Sequence, residues 1–199
     1  SAAFIAQASA DWDALRADLF GPSIDARILP ALVDPAAVAV DLGCGAGHLA
    51  AVLAPHVARL IGVDASPEML AVAAARTVDA PNVELREGPL EALPLDDASV
   101  DLALCVLVLH RVADPGRVLA EAARALVPGG RLLLADMLPH ADEEYRRTMG
   151  HVWLGFDLPH VRALLDAAGL AVERLVELPA VPAARGPGLF VATARRPTS

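Results

Sequence analysis

At 199 residues and 55% hydrophobic side chains, the chain is long enough for one domain with a full-sized core. None of its apolar runs approaches the roughly 20 residues that cross a bilayer. A formal net charge of −9, with every basic side chain an arginine, argues against a direct grip on nucleic acid, which needs clustered cations. Cys44 and Cys105 make no disulfide framework, and Ser1–Gln7 lacks the basic and apolar stretches of a secretory leader. The composition therefore predicts a cytoplasmic protein without membrane contact.

From Ala10 to about Leu32 the pattern is that of two short helices. Trp12, Leu15 and Leu19 share one helical face, Gly21-Pro22-Ser23 breaks it, and Ser23 can cap the next helix. Residues 1–36 are accordingly expected to form an N-terminal helical lid, with Trp12 as a packing anchor or as part of a cover over a site. The first strand opens at Val38. It leads into Asp41-Leu42-Gly43-Cys44-Gly45-Ala46-Gly47, after which an alanine-rich helix runs to about Ala54. Alternate glycines permit positive φ and leave room for a ligand close to the backbone, beside the free N–H groups of a helix start.

Leu60 to Asp64 is a second strand that ends in a carboxylate, a group suited to a ribose diol. Ser66-Pro67-Glu68 then starts a helix reaching about Thr77. Asn82–Arg86 alternates as a third strand ahead of Gly88-Pro89-Leu90. Val100 to Leu109 reads as a strand covered on both faces. Asp114-Pro115 opens a helix to about Leu126, and Pro128-Gly129-Gly130 turns into a fifth strand, Arg131 to Asp136. Beyond Met137 a polar segment gives way to Val152–Phe156, and 139–156 is expected to be a substrate cap. Asp157 caps a helix that Gly169 stops, and strands at Ala171–Leu178 and Leu189–Ala194 close the chain.

Strands alternating with helices indicate an α/β domain over 37–199, with a parallel sheet covered by helices on both faces. Gly43, Asp64, Gly88, His110 and Asp136 all fall at the carboxyl ends of strands, where such sheets bind ligands. The glycine spacing does not fit a G-x-G-x-x-G dinucleotide fingerprint, whose third glycine would stand at His48, nor a P-loop, since the chain has no lysine. His140, His151 and His160 share no helical face and no cysteine supports them, so no metal site is expected.

Taken together, Asp41–Gly47, Val63–Leu70, Leu93-Pro94-Leu95 and Val127–Gly130 resemble the motifs of class I S-adenosylmethionine-dependent methyltransferases, in that family's order. Ala10–Asp13, Val108-Leu109-His110 and Trp153–Phe156 are similar to methyltransferase-type domains that in bacteria often follow a winged-helix regulator of the arsenic-repressor (ArsR) type. The resemblance implies a Rossmann-like, doubly wound sheet of seven strands, mostly parallel, with the last strand antiparallel. It implies S-adenosyl-L-methionine as cofactor, S-adenosyl-L-homocysteine as product and a small-molecule methyl acceptor. Gly43, Gly45 and Gly47 would pass the methionyl part, with Asp41 ordering the loop or the amino group. Asp64 would accept from both ribose hydroxyls, Ala65 and Met69 would pack on adenine, and Leu90 would offer it a backbone N–H. Val106 completes the cofactor set. Pro89 stands where the family often has an aspartate that accepts from the adenine amine, and proline cannot replace it.

No catalytic triad is visible. His110 is the best-placed base for a hydroxyl or ammonium acceptor, its plain alternative being a hydrogen-bonded structural histidine, and His140 and His151, which flank the expected cap, are weaker candidates. The closely spaced cysteines of arsenic-methylating enzymes are absent. The regulator-like resemblance also implies a second function, a cofactor-sensing domain attached to an upstream winged-helix half, and it admits a homodimer.

Overall fold

The computed structural model describes residues 28–179, 181 and 184–198, together with Asp18, Leu19 and Ala26. Trp12, Leu15 and Ser23, and with them most of the expected lid, lie outside the described residues.

β-Branched and leucine-rich runs bounded by glycine, proline and aspartate become strands wherever both faces can be covered. The strands are β1 (Val38–Leu42), β2 (Arg59–Asp64), β3 (Val83–Glu87), β4 (Val100–Val106), β5 (Leu126–Met137), β6 (Ala171–Glu177) and β7 (Leu189–Arg195). They form one sheet in the order β3-β2-β1-β4-β5-β7-β6. The pairs from β3 to β5 are parallel. β7 runs antiparallel to both β5 and β6, so the last strand alone is reversed. The strand order switches direction between β1 and β4, and a crevice opens beyond the carboxyl ends of such neighbours.

The central strands are buried on both faces. Val40 and Leu42 of β1 join Phe156, Leu165, Leu170 and Phe190 in the larger core, while Ala39 packs with Ala50, Leu53 and Leu60 on the opposite face. The helices are α1 (His48–Leu53), α2 (Pro67–Arg76), α3 (Pro115–Ala125), α4 (Glu144–Met149) and α5 (Leu158–Ala167), of which α1, α2, α3 and α5 pack on the sheet and α4 buries no side chain. Three of them are capped as their sequences predict. Ser66, Asp114 and Asp157 each accept an N–H from the first turn of α2, α3 and α5, with a proline beside each cap. Replacing such a cap with alanine typically costs about 1 kcal/mol.

Two boundaries differ from the sequence expectation. β4 stops at Val106 rather than Leu109: Leu107 takes a positive φ of 57° and a short 3-10 turn, Leu109–Arg111, follows. The Val108 N–H donates to the Asp136 carboxylate on β5 instead of continuing the ladder, so an acidic side chain ends the strand. β5 begins at Leu126, not Arg131, because Leu126 pairs with Val100 before a register shift that absorbs Pro128-Gly129-Gly130.

Candidate functional site

The turn after β1 supplies one wall. Gly43, Gly45 and Gly47 have φ of 71°, 50° and 73°, a run of left-handed residues that only glycine adopts at low cost. The Gly43 and Cys44 N–H groups both donate to the Val63 carbonyl, which ties the turn to the end of β2. A Cβ on Gly43 would meet Val108 at 2.8 Å, whereas one on Gly45 would point into open space. Gly47 serves packing instead, since a Cβ there would meet that of Ala73 on α2 at 2.9 Å.

Asp64 sits beside that turn. One carboxylate oxygen accepts from Gly45 N–H at 2.8 Å and the other from Ser66 N–H at 2.9 Å. Each oxygen keeps a lone pair, so the group is held rigid while still able to accept two hydroxyls. Asp41, one strand over, is buried with its Oδ2 lacking any partner. Burial first, then the charge of Asp64, pushes its carboxyl up to about 7. Cys44 and Cys105 are also buried; burial first, then nearby carboxylates, raises both thiols, Cys44 to about 12, which leaves neither as a nucleophile.

The opposite wall comes from β4, β5 and the segment after Met137. Asp136, fully buried, accepts backbone N–H groups from Val108, His110 and Met137. Its Oδ1 lies 2.8 Å from His110 Nδ1, and His110 is itself 4% exposed. All three of these contacts use the carboxylate oxygens as acceptors. An acceptor-only partner places the neutral imidazole's proton on Nδ1 and leaves Nε2 bare. The carbonyl of His110 accepts from both Val152 and Trp153 N–H, and Trp153 Nε1 donates to Val112 O at 3.0 Å. Residues 139–156 are thus clamped onto the His110 turn, with Phe156 in the core and His151 alone reaching the cleft from this stretch. The His151 ring packs 4.2 Å, centroid to centroid, from that of His110.

Between these walls lies a cleft of about 980 Å³, lined by Asp64 from the first wall and by His110 and His151 from the second. Of the residues expected at a cofactor, Gly43, Gly45, Asp64, Ala65, Met69, Pro89 and Leu90 line it, as does His110. Asp41, Gly47 and Val106 do not, and their places are behind the turn, against α2 and within the sheet. Asp136 is one of the strand ends expected to meet a ligand, and His151 a secondary candidate base. The contacts of both with His110 were not expected, since they join residues far apart in sequence. Among the described residues no cluster of histidine, cysteine and acidic groups could hold a metal ion, and no helix is long and apolar enough to cross a membrane. An open glycine wall next to a carboxylate with two spare lone pairs fits a nucleoside carrying a charged sulfur.

Comparison with known proteins gives the same reading. Residues 40–134 match the family model of a methyltransferase domain. An uncharacterized methyltransferase of Bacillus subtilis, YcgJ, is 37% identical over 125 residues, 62% of this chain and 49% of that protein. An arsenite methyltransferase of Halobacterium salinarum is 34% identical over 155 residues, 72% of this chain and 40% of the relative. The chain spans half or less of these relatives' lengths. The crystal structure of YcgJ superposes with a TM-score of 0.67 at 27% identity, covering 84% of this chain and 93% of that one. A putative methyltransferase from Bacillus halodurans gives 0.75 at 20% identity, covering 88% and 99%.

Proposed function

We propose that this chain, which carries a class I S-adenosylmethionine-dependent methyltransferase domain, transfers the cofactor's methyl group to a small molecule held beside His110. The reading rests above all on one observation: a buried His110–Asp136 pair faces the same cleft as the glycine turn and Asp64. A sensing domain could bind the cofactor through the glycine turn and Asp64 alone; the pair adds a proton acceptor, which methyl transfer uses.

Asp64 would hold the ribose, the turn at Gly43 and Gly45 the methionyl part, and Ala65, Met69 and the Leu90 backbone the adenine. When bound, the cofactor supplies a methyl group on a cationic sulfur, displaced in line with the departing electron pair returning to sulfur. His110 accepts the acceptor's proton at Nε2, and Asp136, a positioning residue, orients the ring and faces the resulting imidazolium. A cleft of this volume has room for the cofactor and a small acceptor only. The net charge of −9 disfavours a nucleic-acid substrate. With its two cysteines apart and buried, the chain lacks the soft thiolates that would present arsenite.

Calorimetry with S-adenosylhomocysteine, followed by transfer of labelled methyl across a panel of small acceptors, tests the reading. Binding with label incorporation is expected. Failure to bind S-adenosylhomocysteine would overturn it, and tight binding with no acceptor labelled would favour a sensor.

A further inference from the structure

The two imidazoles at the acceptor end are not equivalent. His110 has its proton on Nδ1, facing Asp136, so its Nε2 is a bare acceptor. In His151 the position is reversed. Its Nδ1 is shut away from solvent and has no partner. A buried N–H without an acceptor is a rarer and costlier arrangement than an unused lone pair. The neutral ring therefore places its proton on Nε2. Burial first, then the neighbouring His110, Arg111 and His140, lowers the His151 pKa against an opposing pull from Asp136; the net shift favours the neutral ring.

Two rings 4.2 Å apart, both lining the cleft, can bring a nitrogen of each to one atom. One nitrogen accepts a proton and the other donates one. The geometry points to a hydroxyl as the group that receives the methyl, its O–H donating to His110 Nε2 and its oxygen accepting from His151 Nε2–H. This rests on the methyltransferase reading above and names the chemistry of its acceptor. An ammonium group has no lone pair for His151, and Arg111 on the same wall repels it. A thiol is a poor match to both partners.

In the step itself the O–H bond breaks and the proton passes to His110 Nε2. The bonding pair stays on oxygen, where the His151 N–H stabilises the developing charge and the nucleophile forms. The imidazolium of His110 is balanced by the Asp136 carboxylate 2.8 Å away.

Long-range nitrogen–proton NMR on labelled protein saturated with S-adenosylhomocysteine reads both tautomers, with His110→Gln and His151→Gln spectra providing the assignments. The expected pattern is Nδ1–H for His110 and Nε2–H for His151. A proton on His151 Nδ1 would overturn the proposal. Phenol titrated into the same sample should shift both Nε2 signals, while anisole, which has no O–H to give, should leave the His110 signal in place. Phenol that moves neither ring would also overturn it. His151→Phe should weaken phenol binding about tenfold or more, and His151→Gln, which keeps a donor of similar reach, should restore most of it. If S-adenosylhomocysteine itself fails to bind, the methyltransferase reading fails; if it binds and the ring signals disagree, the hydroxyl assignment alone falls.

Discussion

The cofactor end of the cleft is made largely of backbone, and the acceptor end is made of side chains. At the first, two left-handed glycines and one carboxylate come from within residues 43–64, consecutive elements of the chain joined by direct hydrogen bonds. At the second, His110, Asp136 and His151 come from three separate stretches and meet only because β4 and β5 pair and the following segment folds back. A backbone wall recognises a shape common to every substrate of the domain, and a side-chain wall can differ from one relative to the next without disturbing the fold. The two ends should therefore fail differently when altered.

The largest effect is expected at the acceptor end. His110→Ala removes the proton acceptor and should lower kcat by roughly 10²–10⁴, while the dissociation constant of S-adenosylhomocysteine changes less than twofold or so. Steady-state kinetics beside calorimetry will separate the two quantities. Equal losses in both would show that the ends are not independent.

Asp41 tests the cofactor end from behind. Its carboxyl titrates near 7 in the fold against 3.8 when unperturbed, so between these values the native state holds a proton that the unfolded chain releases. The stabilisation from that proton is complete below about pH 4 and is lost as the pH climbs through 7. Without cofactor, stability should fall by on the order of 2–4 kcal/mol from this group alone. Asp41→Asn should remove that dependence and leave the variant the more stable protein at pH 8. Denaturant melts at pH 5 and pH 8 will measure it, and parallel curves for the two proteins would show that Asp41 ionises normally.

These contrasts explain what could be read in advance. The sheet, the caps at Ser66, Asp114 and Asp157, and the glycine–Asp64 crevice are written in short local patterns, and the structure bears out the seven-stranded architecture with its reversed final strand. The end of β4 was misplaced because Val100–Leu109 is continuously apolar. What stops the strand is a carboxylate 28 residues further on, beyond any local window. The segment 139–156 clamps the His110 turn, with Trp153 and Phe156 packing inward and the Trp153 indole donating to the Val112 carbonyl. The stacking of His151 on His110 gave no signal, because that contact exists only after folding.

A smaller loss belongs to Asp64. Asp64→Ala removes charge-assisted hydrogen bonds to the ribose and should cost about 1.5–3 kcal/mol of S-adenosylhomocysteine affinity, with the acceptor end unaltered. An unchanged dissociation constant would place the ribose elsewhere.

The smallest expected effect is a gain, at the one cofactor position where this chain departs from the family pattern. Pro89 lines the cleft next to Leu90 and has no side chain able to accept from an adenine amine. In Pro89→Asp the new carboxylate could take that role, worth about 1.5 kcal/mol or a little more for a hydrogen bond with one charged partner. Two terms work against it. Asp64 and Glu91 line the same cleft and repel a further negative charge, and without the proline ring the loop has more backbone freedom to lose when it closes on the ligand. The Gly88 N–H, bonded to the Asp64 carbonyl, and the Pro89 carbonyl, which accepts from Ala92, are backbone contacts that the substitution can retain. The balance should leave S-adenosylhomocysteine bound about three- to tenfold more tightly, by roughly 1 kcal/mol. The gain should disappear with an analogue that lacks the adenine amine. A tighter complex that ignores the amine would mean that the carboxylate acts through charge alone, and the backbone wall would then already be complete without it.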